Sequence, residues 1–90
     1  MAPNLSGCVT LVTGASQGIG RGIALALGEA GATVYLTGRN RSSLDAVAAE
    51  VGKRGGRSFA VVCDHVDDAQ VSALFEQIRH DEPGLDLLVL

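Results

Sequence analysis

An α/β fold, built as a doubly wound parallel sheet with helices on both faces, is what the sequence predicts. Three observations predict it. Short apolar runs alternate with segments of helical periodicity; those runs are apolar throughout rather than at every second position; and a glycine cluster stands where the first run meets the first helical segment. Strands covered on both faces lose the two-residue alternation of a half-buried strand. A regular exchange of strand and helix favours parallel strands joined by crossovers.

The elements follow in order. Cys8 to Thr13 is short, β-branched and bounded by Gly7 and Gly14, which suits a buried strand. Ile19, Ile23, Ala26, Leu27 and Ala30 recur at three- and four-residue spacing and predict a helix stopped by Gly31. Thr33 to Thr37 is the second strand. Leu44, Val47, Ala48 and Val51 mark a second helix, with Ser42 expected as its cap and Lys53 and Arg54 near its electronegative end. Gly55 and Gly56 break it. Phe59 to Cys63 is the third strand, and Val71, Leu74, Phe75 and Ile78 predict a third helix. Asp67 with Gln70 forms a capping-box-like pair, and Val66 with Val71 stands at the positions of a hydrophobic staple. Pro83 and Gly84 punctuate, and Leu87 to Leu90 reads as a fourth strand.

Ninety residues hold one domain at most, or part of one. The net charge of −3 removes the diffuse positive field that nucleic acid or an anionic membrane would need, so any phosphate binding must be local. With only Tyr35, Phe59 and Phe75 as aromatics, a stacking platform for single strands is not expected. Cys8 and Cys63 lack a Cys-x-x-Cys arrangement and sit in apolar runs, so both are expected to be free, buried thiols of a reducing compartment. His65 and His80 stand apart from other metal ligands, and no metal site is expected. Lys53, Arg54 and Arg57 read as a solvated helix end. No signal segment and no run long enough to span a membrane is present, and the expected location is cytoplasmic.

The stretch Thr13-Gly14-Ala15-Ser16-Gln17-Gly18-Ile19-Gly20 joins the first strand to the first helix. A helix start offers unpaired N–H groups and partial positive charge, and glycines let a pyrophosphate approach that backbone. No Lys-Ser or Lys-Thr follows, so a P-loop is not supported. Dinucleotide binding through Gly14, Gly18, Ile19 and Gly20 is the expected chemistry, set against an ordinary tight turn.

TGASQGIG resembles the TGxxxGxG motif of the short-chain dehydrogenases/reductases. TGRN, VVCD and LDLLV fall where that family's second, third and fourth strands end or run, so the resemblance covers essentially the whole chain. RGIALALGEAGATVYLTGR with VVCD and LFEQ is most similar to the branch containing dehydrogenase/reductase family member 1. The resemblance implies the N-terminal part of a Rossmann sheet with strand order 3-2-1-4. It also implies a nicotinamide dinucleotide cofactor and hydride exchange with a carbonyl or alcohol substrate.

In a dinucleotide fold an acid about 20 positions beyond the glycine loop holds the NAD ribose, whereas an Arg accommodates the 2′-phosphate of NADP. Here Gly38 occupies the acid's place and Arg39 follows, so NADP(H) is favoured over NAD(H), against the reading of Arg39 as a solvated side chain. Gln17 stands where many NADP-binding relatives carry a second basic residue. The resemblance gives Ser16 a bond to the adenosine ribose or its phosphate, although its hydroxyl could equally satisfy its own turn. It gives the Asp64 carboxylate a bond from the adenine amino group, and His65 a backbone contact only.

The family's Ser, Tyr-x-x-x-Lys and Asn lie beyond the fourth strand, and no catalytic residue is assigned here. Residues 1–90 are therefore expected to be a dinucleotide-binding segment that is inactive alone. A small carbonyl or alcohol substrate belongs to a longer form. The alternative is a non-catalytic nucleotide-binding or partner-binding product. An uncovered, apolar fourth strand is expected to drive self-association.

Overall fold

The computed structural model describes residues 4–15 and 18–89. Strands β1 (Val9–Thr13), β2 (Thr33–Gly38), β3 (Arg57–Val62) and β4 (Leu87–Val89) alternate with helices α1 (Gly18–Glu29), α2 (Arg41–Lys53) and α3 (Asp68–Asp81). All pairings are parallel and the order is β3-β2-β1-β4, as expected. The register aligns Val9 with Thr33 and Thr33 with Arg57, so β1, β2 and β3 all end at one edge of the sheet.

Side-chain alternation sorts the core into two layers. Val12, Val34 and Leu36 face Ala24 and Leu25 of α1 and Leu44, Val47 and Val51 of α2. Val9, Leu11 and Tyr35 face Leu74 and Ile78 of α3 on the opposite side. Burial on both faces is why the strands read as continuous apolar runs.

Several sequence expectations change at the level of packing. Ile23 and Leu27 pack partly buried against the core, but Ile19 is 84% exposed and Ala26 is exposed, and the buried positions of α1 are Ala24, Leu25 and Gly28. A stripe counted on apolar side chains passes over Gly28, whose bareness is what the packing uses. An added Cβ there would come within 2.6 Å of Val51 Cγ1, and one at Gly56 within 2.7 Å of the Gly28 Cα. The α2 cap is Asn40, not Ser42: Asn40 is extended and its Oδ1 accepts from Ser43 N at 2.9 Å, while the Ser42 hydroxyl donates to the same oxygen.

At α3, Asp67 caps as expected, accepting from Ala69 N and Gln70 N. Gln70, however, sends its amide NH₂ to Asp67 Oδ2 and accepts from Asp64 N rather than from Asp67 N. The Asp67 amide donates to the Asp64 carbonyl, which leaves the Gln70 oxygen for the loop. Val66 is 89% exposed, so no staple with Val71 forms, and Phe75 lies at the margin of the buried face. Arg54 bonds Glu29 and Glu50, and Arg57 lies over Phe59 near Glu82, so these two are paired rather than simply solvated. No described helix is long and apolar enough to cross a membrane.

Candidate dinucleotide site

The C-terminal edge of the sheet carries the predicted glycine turn. Gly14 (φ +62°) and Gly18 (φ +61°) adopt the left-handed conformation, and space around a would-be Cβ at either is open. Such a conformation strongly favours glycine. Gly20 serves differently: a Cβ there would overlap the Gly14 carbonyl oxygen, so the first turn of α1 rests directly on the loop backbone. The Ala15 amide donates to the Thr37 carbonyl at 3.2 Å, tying the loop to β2. The first turn of α1 carries no acidic side chain, so no carboxylate within it offsets the positive end of the helix dipole.

Beside this turn, Gly14, Gly38, Arg39, Cys63, Asp64, His65 and Val66 line a cleft of about 400 Å³. The fold thus brings together Gly14, Arg39, Asp64 and His65 from three strand ends, and Gly18, Ile19 and Gly20 begin the adjoining helix. Ser16 lies outside the described residues. Among the three polar residues after β2, Asn40 caps α2, and Arg41 bonds the Ala60 carbonyl and lies near Asp45. Arg39 makes no polar contact with another described residue and remains exposed at the cleft.

The loop after β3 is organised by its own hydrogen bonds. Cys63 N donates to Gly38 O, Asp64 N to Gln70 Oε1, Val66 N to Asp64 Oδ1 and Asp67 N to Asp64 O. His65 N–H is the one amide from Cys63 to Asp67 with no partner among the described residues. Asp64 keeps Oδ2 free in the same sense. The His65 side chain is engaged within the protein: its Nε2 lies 2.8 Å from Thr37 Oγ1. Thr37 is fully buried and this bond satisfies its hydroxyl. The bond from Thr37 to His65 and that from Asp64 N to Gln70 escaped the sequence reading, the first because its partners are distant in sequence and the second because the cap is rearranged.

Residues 8–90 match the family model described as short chain dehydrogenase. The chain belongs to the short-chain dehydrogenases. It is 52% identical over 90 residues to dehydrogenase/reductase SDR family member 1 of Homo sapiens, covering 99% of this chain and 29% of that protein. It is 39% identical to the 3-oxoacyl-[acyl-carrier-protein] reductase FabG of Aquifex aeolicus, covering 99% and 36% of the two chains. Among solved structures, a metagenomic short-chain oxidoreductase in complex with NADP superposes with a TM-score of 0.89 at 38% identity, over 92% of this chain and 38% of the other. L-sorbose reductase from Gluconobacter frateurii, complexed with NADPH and L-sorbose, gives 0.88 at 34% identity, over 98% and 34%. The chain therefore spans roughly a third of the length of these short-chain dehydrogenases.

The single tyrosine of this short-chain dehydrogenase chain, Tyr35, lies on the α3 face of the sheet. Its hydroxyl donates to Glu82 Oε2 at 2.9 Å and lies 3.4 Å from Asp81. Burial, then Glu82 and Asp81, push its pKa well above the usual phenol range. Cys63 is also buried, and that burial, followed by Asp64 and Asp67, pushes its thiol up.

Proposed function

We propose that residues 1–90 form the dinucleotide-binding part of an NAD(P)(H)-dependent oxidoreductase that exchanges hydride with a carbonyl or alcohol substrate. The glycine cradle carries the reading: two left-handed glycines facing open space, beside a helix start held on the loop by the bare Gly20. Pyrophosphate oxygens suit such a cradle because a helix start offers N–H donors and neither Gly14 nor Gly18 adds a Cβ beside them. Gly14, Ser16, Gly18, Ile19 and Gly20 would surround the pyrophosphate and its ribose, and Asp64 with the His65 amide would take the adenine. The nicotinamide, when bound, supplies or accepts the hydride.

Arg39 gives the preference for NADP(H) over NAD(H). No carboxylate stands at position 38 to repel a 2′-phosphate, and Arg39 is not engaged with another described side chain. The sequence contains no Tyr-x-x-x-Lys pair to supply the proton for carbonyl reduction. Tyr35 is buried among carboxylates and held protonated, the opposite of a phenol made ready to ionise. Substrate turnover is accordingly assigned to a longer form.

Calorimetry with NADP and NAD, alongside a nicotinamide turnover assay, tests this reading. NADP should bind more tightly, with no turnover by the 90-residue chain. Gly38→Asp with Arg39→Leu should reverse the preference, since a lost charge-assisted bond of about 1.5–3 kcal/mol corresponds to roughly tenfold to hundredfold in affinity. A protein that already prefers NAD would refute the role of Arg39.

A further inference from the structure

We propose that Thr37 and the His65 side chain act as a positioning pair that makes the site selective for a 6-aminopurine base. The inference rests on the dinucleotide reading and concerns how its base is read. Four of the five amides from Cys63 to Asp67 are fixed by partners in the protein; the fifth, His65 N–H, has none among the described residues, and His65 lines the cleft. Beside it stands Asp64, one carboxylate oxygen committed to Val66 N at 3.1 Å and the other free. One donor next to one acceptor is the complement of adenine, which presents its N1 acceptor beside its 6-amino donor. Hypoxanthine presents N1–H beside O6, so both polarities are reversed, and a site committed to one pattern leaves its groups unpaired against the other.

That discrimination requires His65 N–H to hold its direction. The peptide lies in an exposed loop; its carbonyl, Asp64 O, accepts from Asp67 N, and the His65 side chain adds a direct tie from this residue to the sheet. The imidazole reaches from the loop after β3 to the end of β2 and meets a hydroxyl that is itself fully buried, which makes Thr37 a fixed anchor. Gln70 holds the preceding amide from α3, so residues 64 and 65 are tethered from two elements. A donor oriented before the base arrives favours the matching ligand without reorganisation. The pair thus acts through the His65 amide rather than by touching the base.

The test compares NADP with nicotinamide hypoxanthine dinucleotide phosphate by calorimetry on the unaltered protein and on Thr37→Val, Thr37→Ser and His65→Ala. The unaltered protein should prefer the adenine form. Thr37→Val and His65→Ala should each lose about tenfold of that preference, the worth of roughly one hydrogen bond. Affinity for the hypoxanthine form should hardly move, and Thr37→Ser should retain the preference because it keeps the hydroxyl. Equal losses for both bases, or an undiminished preference in the variants, would overturn the proposal. If Thr37→Val does not fold, His65→Ala, which alters an exposed loop residue, decides the matter. Binding of both bases with equal affinity by the unaltered protein sinks only the base selectivity, whereas binding of neither removes the dinucleotide reading together with it.

Discussion

Two glycines in α1, Gly20 and Gly22, should respond with opposite signs to the same substitution. Both lie in the helix and neither has a positive φ. Replacing either by alanine brings the same kind of gain in helix propensity, at most about 1 kcal/mol. The difference is what the new methyl group meets. At Gly22 there is nothing within 4 Å, whereas at Gly20 it overlaps the Gly14 carbonyl oxygen and comes within 3.1 Å of the Gly14 carbonyl carbon. Those atoms are backbone, so no flexible side chain can swing aside, and the start of α1 must lift from the loop. Overpacking of this kind costs about 1–3 kcal/mol. Because the propensity gain is shared, the gap between Gly20→Ala and Gly22→Ala should be about that size, at roughly 4–8 °C in Tm per kcal/mol for a domain of this length. Thermal unfolding followed by circular dichroism measures the gap, and calorimetry with NADP should show weaker binding only for Gly20→Ala. Equal Tm values and equal affinities would refute the close-approach argument.

Three further outcomes are expected. Tyr35 has a pKa raised above its unfolded value, so its contribution is complete below the ordinary tyrosine pKa of about 10 and is lost as pH rises beyond it. Tyr35→Phe should flatten the alkaline limb of a stability profile, and should lower stability at pH 7 by about 1.5–3 kcal/mol because the buried Glu82 carboxylate loses its donor; an unchanged alkaline limb counts against it. Cys8, half-buried, should be alkylated well before Cys63, and the two should not join: Cys8 precedes β1 and Cys63 follows β3, so they lie at opposite ends of the sheet, about 20 Å apart along the strands. Peptide mapping that finds a native bridge would contradict the register. Self-association through β4, whose Leu87 and Leu88 are 42% and 44% exposed, should appear in analytical ultracentrifugation and diminish in Leu88→Lys; an unchanged distribution in that variant would rule out this strand as the contact.

Local chemistry made much of this molecule readable in advance. The four apolar runs and the punctuating glycines located every strand and helix, and the turn at Gly14 and Gly18 was evident because a left-handed backbone leaves few other residues possible. The strand order came from family resemblance, since periodicity carries no information about which strands are neighbours. What stayed hidden depends on contacts across the chain. Thr37 finds His65 across 28 positions and Tyr35 finds Glu82 across 47, and nothing in either local sequence marks the partner. Gly28 was passed over for a related reason: a hydrophobic stripe registers side chains, and its role is to have none.

The bare contacts of Gly28 with Val51 and Gly56 also determine how far the cleft's influence reaches. Gly20 seats one end of α1 on the loop and Gly28 seats the other on α2 and the turn before β3, about 12 Å away at 1.5 Å per residue. A helix seated at both ends behaves as a lever: a bulky group wedged under Gly28 tilts the rod and displaces the amides at its opposite end. Substitutions at Gly28, Val51 or Gly56 should therefore mimic lesions of the nucleotide cleft while touching none of its lining. A survey of variants that ranks harm by distance from the cleft would class these remote positions as benign, when they form its foundation.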